Sequence, residues 1–469
     1  MQHSIQPIFD SLKLAGQHHV LQFVDQLDPD QQQWLLQQIS EVDFQLVQQL
    51  FSQQAPSAGS EVDPTTFQPP VALRLNDPTT VTGFTREQAI DAGEQAIRSG
   101  EVAALIVAGG QGTRLGFDQP KGMFPIGPIS HRTLFQFVAD KIRNLQRYYG
   151  SRVPLLVMTS PSVHEDTVHY FREHDNFGIT DSLHFFCQNT MPSVDAQTGK
   201  VLLETTGKLS LSPNGHGGML DALNRSGLLD RCLGDGIESF FFGQIDNPLS
   251  PTCCPELLGF HKLTAANVSL QTIAKESAED QTGNIIQIAG QTQIIEYSEI
   301  PSDIAQQTSS DGTLRFWAAN IAVHIFQADF LRQMAADPDV LPFHKAYKTV
   351  PHLDALGNQV QPAAPNAMKF EKFIFDLLPH SNQTTVIEAN RSHVFAPVKN
   401  HEKAGYHTAA TSKQTISDLH RRWLQQAGVQ VADDVLIEID PSWALNPQEV
   451  AQHAELPKAV TADTFFTSS

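Results

Sequence analysis

The sequence has few cysteines and no long apolar run. Its four cysteines among 469 residues match neither a metal-binding spacing nor a disulfide framework. Nowhere are 18 consecutive residues apolar, and no basic segment followed by an apolar one lies at the N-terminus. These absences argue against a disulfide-stabilised secreted fold and against membrane association. We therefore expect a cytoplasmic protein.

Charged residues are also scarce. They make up 17% of the sequence, whereas about 25% is typical of soluble domains. Acidic residues outnumber basic ones, 51 to 31, which gives a net charge of −20 and argues against nucleic acid or anionic lipid as a partner. A phosphorylated ligand would have to be held by a few localised cations and backbone amides. With 41% apolar residues, the length predicts two or three domains.

The first part of the chain predicts helices. Residues 1–52 are rich in glutamine, and Asp28-Pro29-Asp30-Gln31 has the sequence of a capping box with proline in the first helical turn. Four apolar residues have the spacing of one helical face: Phe44, Val47, Leu50 and Phe51. We interpret this segment as a helical packing module. Residues 53–70 are rich in Ser, Pro and Ala and predict a linker.

From about residue 99, short apolar runs alternate with amphipathic helices, which predicts parallel βαβ units. Residues 102–108 form an apolar run typical of a strand buried on both faces. Ser162 with Glu165 predicts a capping box for a later helix. Further parallel strands are predicted at 154–159, 185–188, 239–245 and 268–274. Closely spaced strands at 285–288, 292–297 and 314–326 predict an antiparallel or mixed extension of the sheet.

These patterns predict three consecutive parts. Residues 1–98 are expected to form the helical segment and linker, and residues 99–383 an α/β domain with a mixed sheet. Residues 384–469 are expected to form a small α/β or β-rich C-terminal domain.

The segment after the first predicted strand combines glycines with cations. It contains Gly109-Gly110-Gln111-Gly112-Thr113-Arg114 and continues to Pro120-Lys121-Gly122. Glycines directly after a parallel strand let backbone amides approach a phosphate at the carboxyl edge of the sheet. Taken alone, such a loop is as often a simple tight turn.

Two known glycine-rich loops fit this segment poorly. A dinucleotide-binding fingerprint needs glycine where Leu115 stands, and Thr159 and Ser160 occupy the place of the expected acidic ribose ligand. A Walker A loop needs Gly-Lys-Ser/Thr, but Lys121 lies between proline and glycine. Arg114 and Lys121, seven residues apart, instead suit a triphosphate with a highly charged leaving group.

Residues 104–123 resemble the signature loop of the eukaryotic-type UDP-sugar pyrophosphorylases, most closely the members that act on N-acetylglucosamine 1-phosphate. Further segments resemble this family in the same order along the chain: 14–17, 158–160, 185–188, 245–247, 295–299, 309–312, 368–373 and 397–400. The resemblance implies a Rossmann-like nucleotidyltransferase core. It also implies the condensation of UTP with a sugar 1-phosphate to a UDP-sugar and pyrophosphate.

The resemblance also implies a role for particular residues. The catalytic cations would be Arg114, Lys121 and Lys399, and Asp246 would hold Mg²⁺, with Mn²⁺ as an alternative. Taken alone, Asp246 is better explained by a helix or turn cap beside Asn247 and Pro248. Any one lysine is most often a solvated surface charge, so it is the matched motifs that single these lysines out.

The substrate contacts follow from the same resemblance. Loop amides of Gly109, Gly110 and Gly112 would meet uridine and phosphates, and Gln188 and Gly215 the uracil. Contacts to the sugar and its phosphate are expected from Glu296, Asn320, Lys369 and Phe373. His216 lies where the uracil and the sugar would meet.

Two departures from the family bear on the sugar. His216 stands where the N-acetylglucosamine enzymes usually have asparagine, and Ala319 stands where glycine is commoner beside Asn320. Glucose 1-phosphate, galactose 1-phosphate or several sugars are therefore alternatives to N-acetylglucosamine 1-phosphate. His216 also has a simpler explanation as a helix-start histidine that bonds the backbone.

Two other classes of protein compete with this interpretation. A nicotinamide dehydrogenase would also have a glycine-rich first turn, and a non-catalytic nucleotide-sugar binding protein could keep the uridine loop. The sequence gives no oligomeric state.

Overall fold

The computed structural model describes residues 2–53, 63–75, 79–179 and 181–467. The chain divides into two compact units, each built from three separate stretches. The first unit comprises Met1–Val62, Gln188–Gly218 and Asp339–Asp376, and the second comprises Asp63–Cys187, Met219–Pro338 and Leu377–Ser469. The predicted linker at 53–70 lies partly outside the described residues. The domain boundaries expected from the sequence stay a prediction.

The second unit contains a large mixed sheet, which has ten strands in the described residues. Eight of them follow one another across the sheet in this order: Ala72–Leu73, Thr384–Glu388, Val268–Ala274, Ala318–Gln327, Ser239–Gln244, Val102–Val107, Leu155–Thr159 and Leu183–Cys187. Ala318–Gln327 runs antiparallel to both of its neighbours on this path, and the other neighbouring pairs are parallel. The hairpin of Gly283–Ile288 and Gln291–Ile295 pairs with Ala318–Gln327. The predicted α/β fold with a mixed sheet is confirmed.

Burial explains why the sequence predicted the central strands well. Val102–Val107 lies between two parallel neighbours, and Ala103, Ala104 and Leu105 are fully buried. A strand covered on both faces has to be apolar at every position rather than at alternate ones. The longer helices of the second unit are Arg86–Arg98, Leu134–Tyr149, His164–Glu173, Leu228–Gly234, Pro255–Leu263, Ala328–Ala335 and Ala409–Gln426. Gly218–Arg225 begins at the last residue of the first unit.

One predicted helix start is wrong. The helix His164–Glu173 has Val163 at its N-cap and no side-chain cap, so Ser162 and Glu165 do not form a capping box. The Ser162 hydroxyl lies 3.1 Å from the Ser160 hydroxyl instead. Ser162 therefore belongs to the turn that follows the strand and stands one residue too early to cap the helix.

The C-terminal part of the second unit is α/β, as predicted. Two short parallel strand pairs follow the helix Ala409–Gln426: Gln430–Val431 with Ala459–Val460, and Ile437–Ile439 with Thr464–Phe466. Together they enclose a small core that includes Leu424, Ile437 and Val450.

The first unit combines the N-terminal helices with short strands. The helices are Gln2–Leu14, Pro29–Ser40 and Phe44–Ser52, and the predicted capping box of Asp28 and Gln31 is present. Three strands form an antiparallel sheet: His344–Lys348, Ala367–Glu371 and Val194–Asp195. The described residues of the unit contain three more antiparallel strand pairs: Thr190–Pro192 with Leu211–Pro213, Leu203–Thr205 with Lys208–Leu209, and His352–Leu353 with Gln359–Val360.

Buried glutamine side chains join the helices of the first unit to its strands. Gln17 donates to the carbonyl of Gly199 at 2.9 Å and accepts from the amide of Val201 at 2.9 Å. Gln38 accepts from the amide of Leu209 at 3.0 Å. Because buried polar groups must be paired, these residues explain part of the glutamine content and fit the interpretation of the helices as a packing module. Within the described residues, every helix is too short or too polar to cross a bilayer.

Candidate active site

The glycine-rich loop after Val102–Val107 is held by its own backbone. The Lys121 amide donates to the carbonyl of Gly110 at 3.0 Å, and the Gly112 amide donates to the carbonyl of Gln119 at 3.0 Å. The Ser160 hydroxyl donates to the carbonyl of Gly109 at 2.7 Å. Among the described residues, none accepts from the amides of Gly110 and Gln111. The loop can therefore offer backbone donors to an anion at the carboxyl edge of the sheet.

Close packing fixes the residue that follows Lys121. A Cβ atom on Gly122 would lie 2.2 Å from the ring of Phe135, so the position admits no side chain. Phe135 belongs to the helix Leu134–Tyr149 and is buried in the main core. Lys121 is thus anchored between a backbone bond to Gly110 and this contact with the helix.

Lys121 reaches the carboxylate of Asp246. Its Nζ lies 3.3 Å from Oδ2 of Asp246, and the two side chains are only 17% and 13% exposed. Asp246 follows Ser239–Gln244, the parallel neighbour of Val102–Val107. Burial opposes ionisation of the carboxyl, but the charges of Lys121 and Lys399 outweigh it and lower the pKa of Asp246. Asp246 is therefore an anionic oxygen donor at neutral pH.

Lys399 joins this cluster through the backbone. The Val398 amide donates to the carbonyl of Asp246 at 2.8 Å, and the Lys399 amide donates to the carbonyl of His407 at 2.8 Å. Asn247 donates to the carbonyl of Val394 at 2.7 Å and accepts from the Ala396 amide at 3.0 Å. Among the described residues, the carboxylate of Asp246 pairs with Lys121 and caps no backbone amide, and it is Asn247 that makes the side-chain bonds to the backbone here.

Arg114 is placed differently from the two lysines. It lies on the exposed 3-10 turn Thr113–Leu115. In the part of the chain that the structure describes, it forms no ion pair with Asp246 or another acid. The structure brings together Lys121, Asp246 and Lys399 but not Arg114, whose part in catalysis stays a prediction.

Glu296 and Asn320 meet at Gly283. A Cβ atom on Gly283 would lie 3.3 Å from Oε1 of Glu296 and 3.6 Å from Cβ of Asn320. Asn320 accepts from the Ala322 amide at 2.9 Å. The hairpin that begins at Gly283 thus brings two predicted sugar ligands together.

Lys275 is a nearby cation that the sequence analysis missed. Burial lowers the pKa of its ammonium, although the charges of Asp280 and Glu296 act to raise it. Lys275 directly follows the strand Val268–Ala274. Its position at a strand end was the signal that could have revealed it.

The predicted residues of the first unit form a second group. Gly215 has φ +84°, and a Cβ atom there would lie 2.4 Å from the carbonyl oxygen of Lys372. The Gly217 amide donates to that carbonyl at 2.8 Å, and the Lys372 amide donates to the carbonyl of Asn214 at 2.7 Å. Two backbone segments therefore touch directly, which only glycine at position 215 permits.

His216 lies in an aromatic stack. Its ring stacks on that of Phe373 at an interplanar angle of 26°, with centroids 5.4 Å apart, and lies 5.5 Å from Phe375. Its Nδ1 accepts from the Ile374 amide at 3.2 Å. The backbone bond expected in the simpler explanation of His216 is therefore present, and Nε2 carries the proton in the neutral ring.

His344 and Asp376 extend this stack and were missed by the sequence analysis. The ring of His344 lies 4.6 Å from Phe373, and its Nε2 lies 2.8 Å from Oδ2 of Asp376. Of the remaining predicted residues, Gln188 is buried directly after Leu183–Cys187, and Lys369 lies opposite Ala346 in the three-stranded sheet. The aromatic spacing at 370, 373 and 375 was the sequence signal for the stack.

The predicted site residues thus fall into one set in each unit. The second unit contains Gly109, Gly110, Gly112, Arg114, Lys121, Asp246, Glu296, Asn320 and Lys399. The first unit contains Gln188, Gly215, His216, Lys369 and Phe373. Five of the nine residues in the first set are charged, whereas the second set contains the two aromatic rings, His216 and Phe373.

Known proteins are similar to this chain in sequence and in fold. A family model described as UTP--glucose-1-phosphate uridylyltransferase matches residues 43–433. UDP-N-acetylhexosamine pyrophosphorylase-like protein 1 of Homo sapiens is 33% identical over 446 residues, which are 92% of this chain and 87% of that protein. UDP-N-acetylglucosamine pyrophosphorylase of Saccharomyces cerevisiae is 33% identical over 368 residues, which are 77% of each chain.

A solved structure is also similar to this chain. The crystal structure of uridine diphosphate N-acetylglucosamine pyrophosphorylase from Trypanosoma brucei, in complex with an inhibitor, is similar with a TM-score of 0.81 and 25% identity. The similarity covers 98% of this chain and 97% of that one.

Proposed function

The chain belongs to the family of UTP–glucose-1-phosphate uridylyltransferases, and we propose that it condenses UTP with N-acetylglucosamine 1-phosphate to UDP-N-acetylglucosamine and pyrophosphate. The names of its relatives in human and yeast support the choice of an N-acetylhexosamine substrate. The observation that carries the proposal is the cluster of Lys121, Asp246 and Lys399 beside a loop with free backbone amides. Cations, a carboxylate and amide donors in one place suit a reaction between two phosphate esters.

The chemistry requires charge neutralisation rather than proton transfer. The phosphate oxygen of a sugar 1-phosphate is already an anion, so its in-line attack on the α-phosphorus of UTP needs no general base. What opposes the reaction is the repulsion between two polyanions. Lys399 and Arg114 would meet the charge on the transferring phosphoryl group, and Lys121 would favour departure of pyrophosphate. The amides of Gly110 and Gln111 would orient the phosphate chain.

Mg²⁺ is part of this proposal, and the site fits one ion of this kind. Among the described residues, no group of three or more His, Cys, Asp or Glu side chains could hold a metal. Mg²⁺ is commonly held by one or two carboxylates together with substrate phosphates, so the single ionised carboxylate of Asp246 fits an ion that arrives with UTP. Bound there, Mg²⁺ would neutralise phosphate charge. Mn²⁺ has similar ligand preferences and is an alternative.

We propose that polar and aromatic side chains recognise the sugar. Glu296 and Asn320 meet at Gly283 in one unit, and Phe373 contacts the rings of His216 and His344 in the other. Hydroxyl groups suit the polar pair, and an apolar sugar face suits an aromatic ring. We also propose that the enzyme acts in the cytoplasm, because all four of its cysteines are free thiols.

Pyrophosphate release from UTP with a panel of sugar 1-phosphates tests this function. We expect the highest kcat/KM with N-acetylglucosamine 1-phosphate and lower values with the glucose and galactose 1-phosphates, and no turnover without a divalent cation. A higher kcat/KM with glucose 1-phosphate would reverse the sugar assignment. Absence of turnover with every sugar would favour a nucleotide-sugar binding protein instead. ATP in place of UTP serves as the control for recognition of the uracil ring.

A further inference from the structure

A cavity lies in the second unit behind the loop that begins at Asp246. It has a volume of about 170 Å³. The helices Leu134–Tyr149 and Ala409–Gln426 and the segment 248–255 contribute to its walls. The walls are largely apolar and aromatic: Phe137, Leu145, Leu249, Leu419, Trp423 and Ile439. None of the residues predicted for substrate or metal binding lines it.

One lysine in this wall has no acidic partner. Nζ of Lys141 donates to the carbonyls of Pro248 at 2.6 Å and Ser250 at 2.7 Å. Among the described residues, no carboxylate forms an ion pair with it, and burial alone lowers its pKa to about 7. An enclosed ammonium without a counterion is unfavourable. The two carbonyls also leave one donor of the protonated form unused.

The ionisable groups around Lys141 do not supply this charge. His420 accepts from the Ile439 amide through Nδ1 at 3.0 Å, and burial, aided by the charge of Lys141, lowers its pKa to about 3. Glu449 also lines the cavity, but its carboxylate accepts from the Leu445 amide and from the side chain of Asn144 and forms no ion pair with Lys141.

The other ionisable groups in the walls are neutral at pH 7. Burial, together with the charge of Arg422, lowers the pKa of His393. The remaining phenol and thiol groups have pKa values raised chiefly by burial: Tyr149, Cys253 and Cys254. A negative charge beside Lys141 therefore has to come from a ligand.

We propose that this cavity binds a small organic carboxylate, with the carboxylate on Nζ of Lys141 and an apolar body against Phe137, Leu145 and Trp423. An apolar cavity of about 150 Å³ holds a benzene ring, so a single ring or a short acyl chain fits. A phosphate dianion suits the site less well, because one cation would leave part of its charge buried without a partner. The site is separate from the proposed active site and does not depend on the proposed reaction.

The proposed site has a defined pH dependence. In the free protein, Lys141 loses its proton near pH 7. A bound carboxylate favours the ammonium and raises this pKa, so binding above pH 7 takes up a proton. Affinity for the carboxylate should therefore fall about tenfold per pH unit above that value, and it should be nearly constant below it.

Calorimetric titration of the full chain with benzoate, and with benzamide as its uncharged analogue, tests the proposal. At about pH 6 we expect benzoate to bind at least about tenfold more tightly than benzamide, and at about pH 8 this advantage should shrink. In Lys141→Met, which keeps the length of the side chain but not its charge, benzoate should lose its advantage while benzamide binds as before. Equal binding of both compounds to the wild type, or no binding of benzoate at millimolar concentration, would overturn the proposal.

A second variant covers the case in which Lys141→Met does not fold. Leu445 is half-buried in the cavity wall, and Leu445→Trp fills part of the space while keeping Lys141. Thermal unfolding verifies that the variant is folded. Loss of benzoate binding in this variant would place the ligand in the cavity, and unchanged binding would place it elsewhere and contradict the proposal.

Discussion

The predicted site residues of the two units differ in their chemistry. In the second unit the residues are held by charge: Nζ of Lys121 lies 3.3 Å from Asp246, and the charge of Lys399 helps to lower the pKa of that carboxyl. In the first unit the residues are positioned by close backbone contacts and ring stacking. Gly215 lies against the backbone of Lys372, and His216 stacks on Phe373.

The difference indicates that the two sets of residues affect different properties of the enzyme. Charged groups in a site of low solvent exposure act strongly on a transition state that carries more charge than the substrates. Stacking and close backbone contacts act on the shape of the ligand and are worth less per residue. We therefore expect substitutions in the charged set to change the rate most, and substitutions in the stacked set to change specificity and stability.

Lys121→Ala should have the largest effect. It removes the cation beside Asp246, and we expect kcat to fall by about 10² to 10³ while the fold is kept. Pyrophosphate release measures kcat, and circular dichroism checks the fold. Lys262→Ala is the matched control, because Lys262 also pairs with a carboxylate, that of Glu101, but at an exposed position of the same unit. Wild-type turnover in Lys121→Ala would remove this lysine from the mechanism and weaken the contrast between the units.

Asp246→Asn should have the next largest effect. The amide keeps the size of the side chain but loses the negative charge, so we expect activity to fall on the order of 10². Excess Mg²⁺ should restore little of it, which a titration of activity with Mg²⁺ would measure. Asp235→Asn, at an exposed ion pair with Arg152, is the control. Full recovery at high Mg²⁺ would mean that Asp246 only strengthens metal binding.

The charged set was the easier of the two to predict from sequence. Lys121 and Asp246 each follow a strand that is buried on both faces, and such strands are recognisable as unbroken apolar runs. Because the two strands are parallel neighbours, their ends meet at one sheet edge. Lys399 follows no strand of this sheet, and its position depends on the bond from the Val398 amide to Asp246. Only the resemblance to the family indicated it.

The architecture of the first unit could not be predicted. Its strands are short, down to the two residues of Val194–Asp195, and such lengths carry no readable period. The pairing of this strand with Ala367–Glu371 joins residues far apart in sequence. The contact of Gly215 with Lys372 is equally non-local. The N-terminal helices were predicted because their periodicity and capping are local signals.

Substitution of one glycine in each unit should affect the stability of the protein to different extents. Gly215→Ala puts a Cβ atom 2.4 Å from a backbone carbonyl at φ +84°, so we expect a loss of about 1–3 kcal/mol in the free energy of unfolding. Gly110 has nothing within 4 Å of its Cβ position. Gly110→Ala should therefore leave stability within about 0.5 kcal/mol of wild type. Urea unfolding of both variants measures these values, and equal losses would contradict the close backbone contact in the first unit.

His216→Asn should have the smallest effect, and it should appear in specificity rather than in rate. The change removes the imidazole that contacts Phe373 and Phe375 and introduces the residue usual in the N-acetylglucosamine enzymes. We expect the ratio of kcat/KM for N-acetylglucosamine 1-phosphate to that for glucose 1-phosphate to rise by roughly tenfold, about 1.4 kcal/mol. His453→Asn is the control, because His453 also stacks on an aromatic ring, that of Trp443, but in the C-terminal part of the second unit. A residue that contacts the sugar should change the ratio of kcat/KM values when its shape and its hydrogen-bond donor change. If both variants keep the wild-type ratio, the stack of His216 on Phe373 is therefore structural only.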